Sequence, residues 1–457
     1  MIKRIKDKIC ISIMLVLFMT SCKVGREFSR PTTRVKSNLM SVVDETSVAN
    51  LPWTSIYRDT LLNGLIEESL LYNKDLLIAA ERLNELAAQK RISASKLFPQ
   101  LDAEIGASRK TTDYGGDDFK GTTTINGKFL ASWEVDLWGN LRWGREAAVA
   151  EYLMGVESRR ALQMTLIAEV ATAYYELVAM DNELQRVKQT LEARKEGVRL
   201  ARLRFEGGLT SETPYQQAQV EVARTATLVP DLEKRISQKE NDIAFLVGRY
   251  PSVIERSNAL DSYMLSVDIP YGLPSDLLER RPDIREAEQR LRVANAKVGV
   301  AYTNLFPKLT ITAKGGFENS ELSDFFKSPY SLIDGALLSP IFKMGKHRSE
   351  LKAQKALYQQ ELYRYEKSVL NALKETHNAI ISYEKSKEIY DLKARLERTT
   401  RNYVEMAQFQ YIKGVISYME VLDAQRGYFD AQIGLINAVK DELLSVVQIY
   451  KVLGGGW

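Results

Sequence analysis

At 457 residues the chain is about three times the commonest domain size, so it holds two or three ordinary domains or one elongated, repeated body. Its 63 basic and 59 acidic side chains leave a formal charge of +4, which lacks the basic surplus of a nucleic-acid binder. Two Cys and two His in the whole chain exclude most zinc sites, thiol redox centres and His-based catalysis.

The first 21 residues read as a secretion signal. Lys3, Arg4, Lys6 and Lys8 precede an apolar run from Ile9 to Met19 that is too short to span a bilayer as a mature helix. The run closes on Met19-Thr20-Ser21-Cys22. These small residues before a cysteine resemble a bacterial lipobox, so Cys22 is the expected lipidated first residue of the mature chain. Lys23 follows, not the Asp associated with inner-membrane retention in enteric bacteria. The other reading is an ordinary signal that leaves Cys22 free. Residues 22–60 are then a lipidated N-terminal segment.

From Leu61 to Lys96 the sequence is rich in Leu, Ala and Glu and predicts a helix ended by Pro99. Period-two alternation follows over 100–138 and predicts a strand hairpin. Leu101, Ala103, Ile105 and Ala107 alternate with polar or small residues. After a loop at Gly115-Gly116-Asp117-Asp118, so do Ile125, Gly127, Phe129, Ala131, Trp133, Val135 and Leu137. Residues 140 to 206 contain no Pro, and one helix of that length measures about 100 Å. Within it Leu177, Leu184, Leu191, Val198 and Phe205 recur every seven residues, with Met180, Val187, Arg194 and Ala201 three residues after the first four. That spacing is a coiled-coil seam. Gly207-Gly208 ends the helix, and a second long helix over 212–247 has Pro214 in its first turn and a kink expected at Pro230.

The chain then repeats itself. Arg82-Leu83 and Leu97-Phe98-Pro99-Gln100-Leu101 return about two hundred residues later as Arg290-Leu291 and Leu305-Phe306-Pro307-Lys308-Leu309. Gly139, Gly208 and Gly248 match Gly345, Gly414 and Gly454 at one constant spacing. We therefore read a first repeat over 61–250, a linker over 251–274 and a second repeat over 275–457. The second strand hairpin falls at 308–340; its last strand, from Tyr330 to Pro340, alternates poorly around Asp334. Long helices follow over 343–412 and 417–453.

Strands with one apolar and one polar face suit a membrane barrel, but four strands cannot close one. Three copies would supply twelve. A soluble antiparallel sheet packed on one face would alternate in the same way. No Gly-x-Ser-x-Gly, Walker loop or His-Glu-x-x-His is present, so the chain reads as a non-enzyme without a cofactor or metal. Arg281-Pro282-Asp283 reads as a structural helix start.

The run Pro274-Ser275-Asp276-Leu277-Leu278-Glu279-Arg280-Arg281-Pro282-Asp283-Ile284-Arg285-Glu286-Ala287-Glu288 resembles the signature of TolC-like outer-membrane factors, in the lipoprotein branch of efflux systems often called NodT-type. The resemblance covers nearly all of the mature chain. It includes the lipobox, Leu-Phe-Pro before a strand in both halves, and Trp138-Gly139 and Met344-Gly345 after the hairpins. It implies a mainly α fold with a small transmembrane β part: a homotrimer whose twelve-stranded barrel continues into a long periplasmic helical barrel. The implied role is the outer-membrane channel of a tripartite export system in a Gram-negative bacterium. Its partners would be a periplasmic adaptor, an inner-membrane pump of the proton-driven efflux kind and outer-membrane lipid. The competing reading is a lipid-anchored coiled-coil tether without a conduit. The resemblance also places an adaptor-docking tip at Gly208-Leu209-Thr210-Ser211 and Gly414-Val415-Ile416-Ser417, where each Gly permits the reversal and each Ser can cap the returning helix. A periplasmic constriction falls at Met419, Glu420 and Asp423. Some relatives lock this end with an acid at the position occupied here by Pro214, which leaves Glu212 as the candidate substitute.

Overall fold

The structure, a computed structural model, describes residues 23–31, 52–57, 59–112, 120–257, 280–339 and 343–455. Cys22, the loop around Gly115, Pro340, the 258–274 part of the linker and the first part of the Pro274–Glu288 run lie outside these residues. In chain order the described elements are helices α1 (Trp53–Ile56), α2 (Thr60–Tyr72) and α3 (Lys74–Ser95), strands β1 (Gln100–Thr112) and β2 (Lys120–Val135), and helices α4 (Asn140–Glu206) and α5 (Thr213–Val247). Helix α6 (Pro282–Thr303), strand β3 (Lys308–Asn319), a 3-10 turn (Leu322–Lys327), strand β4 (Pro329–Leu338), and helices α7 (Lys346–Ile412) and α8 (Tyr418–Val452) complete the set. The chain divides into two compact units. One comprises Met1–Thr33, Glu81–Val156 and Glu286–Lys367; the other comprises Arg34–Ala80, Glu157–Arg285 and Ser368–Trp457.

The first unit holds one antiparallel sheet in the order β1-β2-β3-β4. Its register sorts the alternating residues onto two faces. Ile105 lies opposite Gly127, Leu101 opposite Ala131, Ala131 opposite Ala313 and Trp133 opposite Ile311, which makes one apolar face. On the other face Glu104 lies opposite Lys128 and pairs with it at 2.7 Å. The same ladder settles β4, which alternation alone left uncertain. Ile333 and Leu337 lie opposite Ala313 and Leu309 on the apolar face, and Asp334 lies opposite Thr312 on the polar face. Leu332 and Leu338 are the exceptions that blurred the pattern. Among the described residues nothing covers the apolar face: Ile105 is 91% exposed and Ile333 81%. Aromatic side chains gather at both ends of the sheet. Trp138 stacks on Phe306 at 5.0 Å and donates its indole N–H to the Pro307 carbonyl. Phe317, Phe325 and Phe326 cluster within 5.0–5.9 Å at the other end. Directly after β2, Asp136 accepts hydrogen bonds from the Leu141 and Arg142 backbone N–H groups and so caps the start of α4.

The second unit holds the main core, where Leu62, Ile66, Val170, Leu177, Ile243 and Leu453 are fully or nearly fully buried. Each such side chain contributes about 1.5–3 kcal/mol. The helix predicted without interruption from 61 to 96 is two helices. Asn73 ends α2, accepts from the Leu76 N–H at 3.1 Å and donates to the Leu246 carbonyl at 2.8 Å. A buried amide that caps the next helix and ties it to α5 outweighs an uninterrupted helical pattern. Pro230 is accommodated inside α5. Arg281 donates to the Val452 carbonyl at 3.1 Å and pairs with Asp283 and Glu375, so it fastens the start of α6 to the end of α8. Burial disfavours its charge, but those carboxylates outweigh burial and raise its pKa.

Candidate functional site

Both helical hairpins turn by the same backbone device. Gly208 has φ +71° and Gly414 φ +76°. At the first turn the Gly208 N–H donates to the Phe205 carbonyl and the Leu209 N–H to the Arg204 carbonyl; at the second, Gly414 donates to Tyr411 and Val415 to Gln410. This is a Schellman closure, in which a left-handed residue lets two orphan carbonyls be satisfied. The residue just beyond each glycine is thrown outward, and Leu209 is 73% and Val415 71% exposed. Thr210 is half-buried, and its hydroxyl is enclosed without a hydrogen-bond partner. Ile416 turns the other way and packs with Tyr411, Tyr418 and Tyr428 on a small core of Val404, Ala407, Val421 and Ala424.

The two serines differ. Ser417 is the N-cap of α8 in a capping box, and its N–H and hydroxyl both donate to the Glu420 carboxylate. The cap expected of Ser211 is not formed. The N-cap position falls instead on Glu212, which has helical dihedrals, makes no side-chain cap and accepts from the Gln216 amide at 2.8 Å. Pro214 within the first helical turn removes an N–H that a cap would otherwise satisfy. Met419, Glu420 and Asp423 share an exposed face of α8 beside the turn, with Glu420 bent back onto the cap.

Deeper along the hairpins lies a network that the sequence reading missed. Glu221 on α5 is almost wholly buried and meets three guanidinium groups: Arg194 of α4 at 3.0 Å, Arg426 of α8 at 2.6 Å and, farther off, the exposed Arg224 of its own helix at 3.7 Å. Arg194 also donates to the Glu221 carbonyl and the Thr225 hydroxyl and lies over the Phe429 ring. One carboxylate thereby joins the first hairpin to the second. Burial pushes the Glu221 pKa up, but the Arg426 hydrogen bond and the charges of Arg194 and Arg426 win and hold it below the ordinary carboxylate value. Burial also lowers Arg194, against the attraction of Glu221 and with the help of the like charges on Arg426 and Arg224. A guanidinium stays protonated despite such a shift. Glu212 engages Gln216 of its own helix, so the bond across the hairpins belongs to Glu221. The signal was present in the sequence, because Arg194 occupies a seam position, where a charge needs a buried partner.

Among the described residues no helix is long and apolar enough to cross a membrane, and no cluster of His, Cys, Asp and Glu could hold a metal ion.

The profile of the family described as outer membrane efflux protein matches residues 65–249 and 273–455. The probable efflux pump outer membrane protein TtgC of Pseudomonas putida is 31% identical over 421 residues, covering 90% of this chain and 87% of that protein. The solved structure of the outer-membrane channel OprN matches with a TM-score of 0.87 at 28% identity, covering 95% of this chain and 100% of the other. That of CusC, described in terms of its folding and transmembrane channel formation, matches with a TM-score of 0.88 at 27% identity over the same shares. With a family match over both halves and a relative of this identity along nearly its whole length, the chain belongs to the outer membrane efflux protein family.

Proposed function

We propose that three copies of this chain, each built of two repeats and anchored by a lipid on Cys22, form an export duct across the outer membrane. The observation that carries this reading is the sheet. Among the described residues it has four strands, unpaired edges at β1 and β4, a bare apolar face and a charged opposite face. An open sheet of this kind is a liability in isolation. Three such sheets joined edge to edge would close twelve strands, put the apolar faces against lipid with aromatic residues at the two interfaces, and line the lumen with the polar faces. The long hairpins would continue the duct into the periplasm. Their turns, with Leu209 and Val415 outermost, would dock a periplasmic adaptor coupled to an inner-membrane pump. Met419, Glu420 and Asp423 would narrow the entrance, and Glu221, bound to Arg194 and Arg426, would hold the hairpins together there. Threefold repetition of the two acids gives a field that attracts cations.

Planar-bilayer recording of the purified protein tests this function. Wild type should give small, cation-selective conductance steps, and Glu420→Ala with Asp423→Ala should lose the selectivity and any block by multivalent cations. Protein that binds lipid but conducts nothing, wild type or variant, would instead match a tether without a conduit.

A further inference from the structure

The residues that immediately follow Cys22 are bound within the first unit by a dense set of unlike contacts. The Val24 N–H donates to the Trp138 carbonyl at 3.1 Å, and the Trp143 indole N–H donates back to the Val24 carbonyl at 2.8 Å. The Lys23 ammonium sits 3.4 Å above the centre of the Trp143 ring and pairs with Glu146. Farther on, Asn295 donates to the Arg26 carbonyl, the Arg292 guanidinium lies over the Phe28 ring, and Arg30 pairs with Glu288 at 3.2 Å. The floor of this seat is Trp143, which is fully buried with Ala147 and Ala296. Three glycines make room for the fit. A Cβ on Gly299 would fall 2.3 Å from the Trp143 ring, one on Gly25, at φ +136°, would fall 2.9 Å from it, and one on Gly139 would fall 2.9 Å from Lys23. A short exposed peptide held by backbone hydrogen bonds, a cation–π contact and ion pairs along α4 and α6 is a docked ligand in all but covalent connection.

We infer that residues 23–31 are a strap that fixes the acylated N-terminus at the membrane-proximal rim of the sheet, where β2 passes into α4, and transmits insertion of the lipid to the strands. The inference rests on lipidation of Cys22. No residue separates that cysteine from Lys23, so acyl chains attached to it would be tethered directly to a strap whose Val24 bonds the Trp138 carbonyl. The partner surface is therefore the periplasmic leaflet of the outer membrane, reached through the protein's own lipid. A loose N-terminus would keep the protein at the membrane without orienting the sheet against it.

The test uses full-length protein in isolated outer membranes and three readouts: the mass of the N-terminal peptide for the lipid, tryptic cleavage after Arg26 for the strap, since Pro31 blocks cleavage after Arg30, and proteinase K protection of residues 100–135 for the inserted sheet. The double variant Lys23→Gln with Gly25→Val alters the strap without placing an acid after Cys22; Gly299→Leu alters its seat. Both should keep the lipid, be cut in the strap about tenfold faster, as local opening predicts, and show several-fold less sheet protection. Because Gly299→Leu also crowds the α4–α6 contact, the strap variant decides. If it is cut quickly and the sheet stays protected at the wild-type level, the strap transmits nothing and the inference falls. A strap as resistant as in wild type despite both substitutions overturns the docking itself. An unmodified Cys22 in exported wild type removes the lipid reading and with it the coupling, and the cleavage rates then still report whether the strap is seated.

Discussion

Glu221 shows how much one side chain carries at the far end of the hairpins. Its side chain is 2% exposed and that of Arg194 8%, so Glu221→Ala would strand a buried guanidinium, at a cost of about 3–5 kcal/mol. Arg426, 38% exposed, would be resolvated at little cost. We expect Glu221→Ala to lower the denaturant midpoint and to raise single-channel conductance, with Glu221→Gln milder in both because it keeps the shape and one acceptor. The pH dependence has a definite sign. The folded pKa lies below the ordinary value of 4.5, so the network contributes fully above that value and is lost only as pH falls through the lower, folded pKa. Conductance recorded from pH 7 downwards should stay flat to about pH 4.5 and rise below it in wild type. Acid-induced opening that persists unchanged in Glu221→Gln would assign the transition to other groups.

At the scale of the element, long helices and alternating strands were legible in the sequence, and short-range side-chain competition was not. The break at Asn73 escaped because Leu71, Leu76 and Leu77 keep a helical pattern running through it, and only the fold shows that Asn73 bonds Leu246. The glycines of both turns were readable because a reversal between two helices needs a left-handed residue. The unequal fates of Ser211 and Ser417 were not, since a capping box requires an acid three residues on: Glu420 follows Ser417, whereas Pro214 follows Ser211. The tips make a prediction that belongs to these elements. Leu209→Asp with Val415→Asp leaves both Schellman closures intact, because neither side chain makes them. Stability should therefore change by less than about 0.5 kcal/mol, while crosslinking to the adaptor is lost. Ile416→Asp should behave in the opposite way, destabilising the hairpin by burying a charge among Tyr411, Tyr418 and Tyr428.

For the molecule as a whole, the matched lengths of its parts are the strongest constraint. Helices α4 and α7 each have 67 residues, and α5 and α8 each have 35, so a second copy can meet either hairpin in register along its length. Helix α7 presents Ile389, Leu392, Leu396, Tyr403 and Met406 at heptad spacing, each 45–56% exposed. Such a seam is the face a neighbouring helix fills with knobs in holes. If the chain forms the trimer proposed above, replacing Leu396 and Tyr403 together by Asp should leave the fold of the single chain intact by circular dichroism and shift detergent-solubilised protein from trimer to monomer in analytical ultracentrifugation. Trimers of unchanged stability would place the subunit contact elsewhere.

The seat of the N-terminal strap also imposes an order in time. Arg26 and its partner Asn295 are 269 residues apart, and contacts so distant in sequence close late. A chain leaving the inner membrane from its N-terminus exposes Lys23 at once, but α6 becomes available only after the first strand pair and the first helical hairpin have emerged. Until then the N-terminus, acylated as proposed above, would be a leash with nowhere to fasten. On the inference drawn above, fastening it would report that Gly299 has arrived, and a prematurely terminated chain would carry its lipid and never be licensed to spread its strands in the bilayer.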